Sequence, residues 1–75
     1  MKYTIELFIL GTCIKIIQSN TPIFVKGLEI FNTDNQYLNI YYDTSNEYWK
    51  YQGESIEIRI SYFIIKTKSD LIIEQ

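Results

Sequence analysis

The chain has no histidine and no alanine, and only one cysteine, one proline and three glycines among its 75 residues. Histidine is the usual proton carrier near neutral pH, and histidine and cysteine are the main ligands of structural zinc. Acid–base catalysis and zinc binding therefore lack their usual residues. The single cysteine, Cys13, excludes a disulfide within the chain. The lack of alanine, with only five leucines, disfavours a helical bundle.

The abundant residues are those that favour pleated strands. Isoleucine occurs 15 times and tyrosine seven times; with phenylalanine, threonine, tryptophan and valine they make 34 of the 75 residues. Amino acids with A/T-rich codons (Phe, Tyr, Met, Ile, Asn and Lys) make 38 of the 75, whereas Gly, Ala, Arg and Pro together make five. This bias predicts an AT-rich source, such as a low-GC bacterium, its phage or a plasmid. It also inflates the isoleucine count, so that isoleucine here is weaker evidence of a core.

Six strands are predicted between clusters of turn residues. They cover residues 3–10, 13–18, 23–32, 36–42, 47–51 and 55–66. Short connections favour antiparallel hairpins. The prediction is one small all-β domain over residues 1–75, an antiparallel meander of six or seven strands that forms a barrel or a sandwich. The seventh element is the apolar segment 71–73, as a short strand or a single helical turn.

Turn lengths predict which side chains share a face, because a one-residue slip moves every side chain to the opposite face. A four-residue loop at 43–46 pairs Ile40 with Trp49, and a two-residue turn at 52–53 pairs Trp49 with Ile56. A three-residue loop at 33–35 places Asn35 in the left-handed region, which asparagine tolerates. The predicted core face carries Leu28, Ile30, Leu38, Ile40, Tyr42, Trp49, Tyr51, Ile56, Ile58 and Ile60.

The two ends of the chain leave alternatives open. A turn at residues 11–12 pairs Leu7 with Ile16, but one long strand bent at Gly11 fits the same pattern. The run at residues 62–65 is apolar on both faces of a strand. Such a run is typical of a strand covered on both sides, of a bulge, or of a contact with another subunit.

Residues that could carry catalysis or bind a metal are sparse. Asp34, Asp43 and Asp70 fall in turns or at a helix start, where aspartate is common for backbone reasons. Cys13 has no identifiable neighbouring base, and segment 43–47 lacks the glycine and the spaced glutamate of a calcium loop. No glycine-rich phosphate loop is present. The prediction is a protein without enzymatic activity, cofactor or metal.

The outward face of the predicted sheet carries the candidate binding residues. The same registers that bring the isoleucines inward place tyrosines and two cations outward, and tyrosine suits recognition because it combines a rigid ring with a hydroxyl. The predicted binding residues are Tyr37, Tyr41, Tyr48, Lys50 and Arg59. The alternative interpretation is cross-strand packing enriched by codon bias.

The leading functional prediction is a non-catalytic module that binds a protein partner through this face and also self-associates. A protein-binding inhibitor or adaptor from a phage or mobile element fits the size and codon bias, though only by analogy. A nucleotide-like ligand held between subunits is a variant. The alternative is a small β-barrel of the OB or SH3-like type that binds single-stranded nucleic acid. The pI of about 4.9 disfavours that alternative, since binding phosphates requires excess cations.

The sequence also bears on location. Residues 1–13 weakly resemble a lipoprotein signal, but Glu6 interrupts the short apolar stretch and Thr12 is unfavourable before a lipidated cysteine. No run approaches the ~18 apolar residues of a membrane span. The prediction is a protein of the cytoplasm, in its own cell or in a host cell, with no membrane partner.

Overall fold

The structure is a computed structural model that describes residues 2–68, and these residues form antiparallel β-strands joined by short turns and loops. Eight strands follow one another: β1 Lys2–Ile9, β2 Thr12–Ser19, β3 Ile23–Lys26, β4 Glu29–Asn32, β5 Tyr37–Asp43, β6 Tyr48–Gln52, β7 Glu57–Ile60 and β8 Tyr62–Lys68. The predicted all-β, antiparallel class is confirmed. No helix within the described range is long and apolar enough to cross a membrane.

The strands form two sheets. A three-stranded sheet has the order β2-β1-β8, and a five-stranded sheet runs β3-β4-β5-β6-β7 as a meander. The chain returns from the second sheet to the first at Ser61, whose amide donates a hydrogen bond to the Phe8 carbonyl at 2.8 Å. The two sheets share one core, which fits the predicted sandwich, and the described strands do not close into a barrel.

The core lies between the sheets. Its buried aliphatic side chains are Ile5, Leu7, Ile23, Ile30, Ile40 and Ile60, and they come from both sheets. Full burial of one such side chain stabilises a fold by roughly 1.5–3 kcal/mol. At the margin of this core Trp49 of β6 meets Phe63 of β8 edge to face, with ring centroids 5.1 Å apart. This ring pair joins the two sheets directly.

Two of the predicted strands are each divided into two strands in the structure. The predicted number of six or seven strands is therefore wrong. The segment 23–32 is a hairpin that turns at Gly27 (φ +63°), a conformation that glycine adopts without steric cost. Leu28 therefore lies in a turn and is exposed, although it was predicted in the core. The segment 55–66 is divided at Ser61, where the chain changes sheets. The predicted element at 71–73 lies outside the described residues.

The registers of the central hairpins differ from the predicted ones by even numbers of residues. Trp49 pairs with Tyr42 rather than Ile40, and on its other side with Ile60 rather than Ile56. The turns are the cause: the second loop is closed at residues 53–56 by a 2.7 Å hydrogen bond between the Gly53 amide and the Ile56 carbonyl. A register that differs by an even number of residues leaves each strand residue on its predicted face of the sheet. The longer second loop nevertheless places Ile56 in an exposed loop instead of the core.

The three-residue loop at 33–35 is confirmed. Asn35 adopts φ +64°, and Phe31 pairs with Tyr37, as the odd loop length requires. Further along β5 the register shifts by two residues, and Asn39 takes φ +63° within that shift. The odd loop keeps Phe31 on the outward side and Ile30 in the core.

The first two strands form a hairpin rather than one bent strand. The turn is Leu10–Gly11, both with positive φ, one residue earlier than predicted. Ile14 is the extra residue of a bulge opposite Phe8, so Leu7 pairs with Lys15 instead of Ile16. This single inserted residue pairs Ile16 with Glu6 and puts Ile16 on the solvent side.

Candidate functional site

The five predicted binding residues all lie on the outer face of the five-stranded sheet. Tyr41, Lys50 and Arg59 stand directly opposite one another on β5, β6 and β7, and Glu29 of β4 continues the row. We call this surface the tyrosine face. It consists of Phe24, Lys26, Glu29, Phe31, Tyr37, Tyr41, Asp43, Tyr48, Lys50, Glu57 and Arg59.

Lys50 is the electrostatic centre of the tyrosine face. Its Nζ lies 2.9 Å from Asp43 Oδ2 and 3.0 Å from Glu57 Oε1. The Tyr41 hydroxyl donates a hydrogen bond to the other oxygen of Glu57. The four side chains tie three neighbouring strands together, and both carboxylates compensate the charge of the single ammonium.

These contacts fix the charge states of the network. Hydrogen bonds from Lys50 and then Asn46 lower the pKa of Asp43 to about 2, and hydrogen bonds from Tyr41 and Lys50 lower the pKa of Glu57. The same bonds raise the pKa of Lys50, through Asp43 first, and that of the Tyr41 phenol, through Glu57. Every shift moves the pKa away from neutrality, whereas general acid–base catalysis uses a pKa near the working pH. The network therefore holds charges in place and is not suited to proton transfer.

Tyr48 is covered by cations. The Arg59 guanidinium lies over its ring, 4.7 Å from the centroid, and Lys50 Nζ lies 5.5 Å from the same centroid. Such contacts stabilise by about 0.5–1 kcal/mol at exposed sites. They also orient the guanidinium while leaving it without a carboxylate partner among the described residues.

A second aromatic group occupies the other half of the tyrosine face. Phe31 packs between Phe24, at 6.5 Å, and Tyr37, at 5.4 Å between centroids, and Lys26 Nζ lies 5.9 Å from the Phe31 ring centre. Burial, followed by the negative charge of Glu29, raises the pKa of Tyr37. Tyr37 still exposes 39% of its surface, so this half presents an accessible aromatic edge.

Sequence reasoning missed the two acidic partners of Lys50. Asp43 was placed in a hairpin loop because the predicted register paired Tyr42 with Glu47, whereas Asp43 closes β5 opposite Tyr48. Glu57 is not among the predicted binding residues, although its Oε1 lies 3.0 Å from Lys50 Nζ. The signal was the alternation of acidic and basic residues on facing strands, which becomes a contact only in the correct register.

A small cleft of about 210 Å³ lies beside the tyrosine face, lined by Ile9, Leu10, Arg59 and Ser61. The Ser61 hydroxyl oxygen accepts a 3.0 Å hydrogen bond from the Leu10 amide. This bond links the turn between β1 and β2 to the connection between β7 and β8. Leu10 itself is 90% exposed. Within residues 2–68, no three histidine, cysteine or acidic side chains come together as a metal site.

Comparison with known protein families, with characterised proteins and with solved structures gives no match to this chain. Functional inference therefore depends on the tyrosine face itself. The face offers aromatic rings, a compensated ammonium and an oriented guanidinium within one sheet.

Proposed function

We propose that the chain is a non-catalytic module that binds a protein partner through the tyrosine face. The observation that carries the proposal is the arrangement of tyrosines and cations on that face in fixed positions. The guanidinium of Arg59 stacks on Tyr48, and Tyr37 is held by Phe31 with part of its ring still exposed. Tyrosine and arginine are enriched at the centres of protein interfaces, and pre-oriented side chains lose little entropy on binding.

The charge balance of the face favours a protein over single-stranded nucleic acid. Lys50 is already neutralised by Asp43 and Glu57, and the Tyr48 ring that a base would stack on is covered by Arg59. Nucleic-acid binding needs free cations for phosphates and open rings for bases. Binding to a protein requires neither free cations nor open rings, because mixed charges and aromatic edges can contact complementary groups on the partner protein.

The proposal extends to the setting in which the module acts. Small size and A/T-rich codon use suit a phage or mobile element of an AT-rich host, and an inhibitor or adaptor that acts on a host factor in the cytoplasm. The proposed origin depends on analogy between classes of protein, and it determines which lysate is used in the test. The host lysate should therefore come from a low-GC bacterium.

The proposal is tested by affinity capture with three immobilised forms of the chain. The wild type and Ile56→Ser should both retain the partner, because Ile56 is 56% exposed in a loop outside the tyrosine face. The double variant Tyr37→Ser/Arg59→Gln should retain at least about tenfold less of the same protein, as expected when interface anchors are removed. Circular dichroism checks that all three forms fold alike.

Two results would contradict the proposal. One is a partner that the double variant retains as well as the wild type does. The other is retention of the wild type on a single-stranded DNA column at about 50 mM salt, with steep loss as salt rises, which is the behaviour of a phosphate-binding surface.

A further inference from the structure

β2 is the least protected sheet edge among the described strands. It has eight residues, forms one side of the three-stranded sheet, and is solvent-exposed along most of its length. Its only charge is Lys15, whose ammonium lies 5.9 Å from the centre of the Tyr51 ring on the core side. No strand within the described residues pairs with its free side. Long, apolar, uncharged edges are the ones to which further strands add.

The other three edges carry the usual protections. β3 and β7 have four residues each; β3 directly follows Pro22, and β7 contains Glu57 and Arg59. β8 is seven residues long but includes Lys66. Short strands, proline and edge lysines all prevent unwanted pairing. β2 is eight residues long and contains no proline, and its one lysine, Lys15, lies over the Tyr51 ring on the core side. Its irregularity is the bulge at Ile14, near the turn.

We propose that β2 pairs antiparallel with β2 of a second copy of this chain, with the two-fold axis at Ile16. In this register Ile16 stands beside its own counterpart, and Lys15 stands beside the partner's Ile17. The two like charges are therefore not directly opposite, and the most exposed isoleucine of β2 gains an apolar neighbour. The three-stranded sheets of the two copies become one continuous six-stranded sheet.

A second copy fits this edge better than an unrelated strand does. An antiparallel pairing of a strand with itself is isologous, so each contact occurs twice and the interface closes as a dimer. The domain also gains from association, because a chain of this size buries only about 60% of its unfolded surface. The buried aliphatic residues of the described core number only six, and five of them are fully buried.

The dimer surface is separate from the tyrosine face, since β2 belongs to one sheet and the tyrosine face to the other. Loss of dimerisation and loss of partner capture are thus independent results. A variant of β2 that is monomeric should still be captured by the partner, and Tyr37→Ser/Arg59→Gln should still dimerise.

The first test is the mass in solution, measured by sedimentation equilibrium over a range of concentrations. The wild type should pass from about 9 kDa to about 18 kDa, in keeping with a chain of 9.0 kDa. Ile16→Lys should weaken the dimer by at least about tenfold, because two like charges then face each other at the axis. Mixing Ile16→Lys with Ile16→Glu should restore a dimer, which a general loss of folding would not allow.

Ile64→Lys separates edge pairing from face-to-face packing. Ile64 is 39% exposed on the same outer face as Ile16, but it lies on β8, away from the β2 edge. Edge pairing predicts that Ile64→Lys dimerises like the wild type. Equal loss with Ile64→Lys would assign the contact to the sheet face and overturn the proposal, as would a wild type that stays monomeric at every concentration.

Cross-linking tests the register. In a Cys13→Ser background, Ile16→Cys should form a disulfide-linked dimer under mild oxidation, since directly paired positions lie within disulfide range. Ile56→Cys in the same background is the matched control, because Ile56 and Ile16 are similarly exposed, at 56% and 53%. Equal cross-linking of both would show random collision and would contradict the register.

Discussion

The two sheets expose very different outer faces, although both are built from the same strand-rich composition. On the five-stranded sheet the outward side chains satisfy one another, as in the contacts of Lys50 with Asp43 and Glu57. On the three-stranded sheet the exposed residues include Ile16 and Ile64, and the Glu6–Lys66 pair at 3.2 Å is the one ion pair of that face among the described residues. The outer face of the five-stranded sheet thus consists largely of paired polar groups. The outer face of the three-stranded sheet exposes aliphatic side chains beside the edge of β2 that no described strand covers.

The difference follows from strand length and pairing. The strands of the five-stranded sheet have four to seven residues, and the closely spaced turns bring charged residues such as Asp43 and Glu57 to the strand ends beside Lys50. β1 and β2 have eight residues each and meet in one tight turn. Long strands bury more backbone in the sheet but expose longer edges.

The contact that joins the two sheets should have the largest effect when it is removed. Trp49→Ala deletes the ring that packs on Phe63 and on Tyr42, whose centroids lie 5.1 and 5.5 Å away. We expect a loss of about 3 kcal/mol in the free energy of unfolding, the lower end for tryptophan because Trp49 is half-buried. Urea denaturation followed by circular dichroism measures it.

Tyr62→Ala is the control for this prediction. The Tyr62 ring stacks at 4.7 Å on Phe8 of the same sheet, and Tyr62 is 45% exposed, so we expect a loss of about 1 kcal/mol. Equal losses for Trp49→Ala and Tyr62→Ala would show that contact between the sheets contributes no more than contact within one.

A buried asparagine links the sheets through polar contacts. Asn32 is 1% exposed, and its Nδ2 donates to Ser19 Oγ at 3.0 Å and to Gln36 Oε1 at 2.7 Å. Ser19 ends β2, so the bond crosses from one sheet to the other. Asn32→Ala leaves buried partners unsatisfied and should cost about 2 kcal/mol in urea denaturation. Asn20→Ala, at an exposed neighbouring turn, should stay within about 0.5 kcal/mol; a similar loss there would refute the role assigned to Asn32.

The charge network should make the five-stranded sheet sensitive to acid. The pKa of Asp43 is lowered from 3.8 to about 2, so its contribution is complete above pH 3.8 and disappears as the pH falls towards 2. The stability difference between wild type and Asp43→Asn should therefore shrink between about pH 5 and pH 2. Thermal melts across this range measure it, and a constant difference would mean that the carboxylate charge does not contribute.

The outward position of the tyrosines could be predicted from the sequence because strand alternation has a period of two. Tyr41, Lys50 and Arg59 kept their face even though both registers slipped, since the slips were even. The contacts of Lys50 with Asp43 and Glu57 could not be predicted in the same way. The face of a side chain depends only on whether the register is shifted by an even or an odd number of residues, whereas a contact between two side chains requires the correct register. The turn at Gly27 and the corner at Ser61 were missed because apolar residues continue on both sides of each. The bulge at Ile14 reverses one face, and no residue pattern marks it.

β1 lies between β2 and β8, and this placement affects how the chain folds. β2 follows β1 after two residues, but the other neighbour is distant: the Glu6–Lys66 pair spans 60 positions. The β1–β2 hairpin can form early, whereas the third strand of the sheet is added only after a long loop has closed. Such non-local pairing places an all-β domain in the millisecond-to-second range of folding times. Until β8 pairs with it, β1 has one unpaired edge within the β1–β2 hairpin.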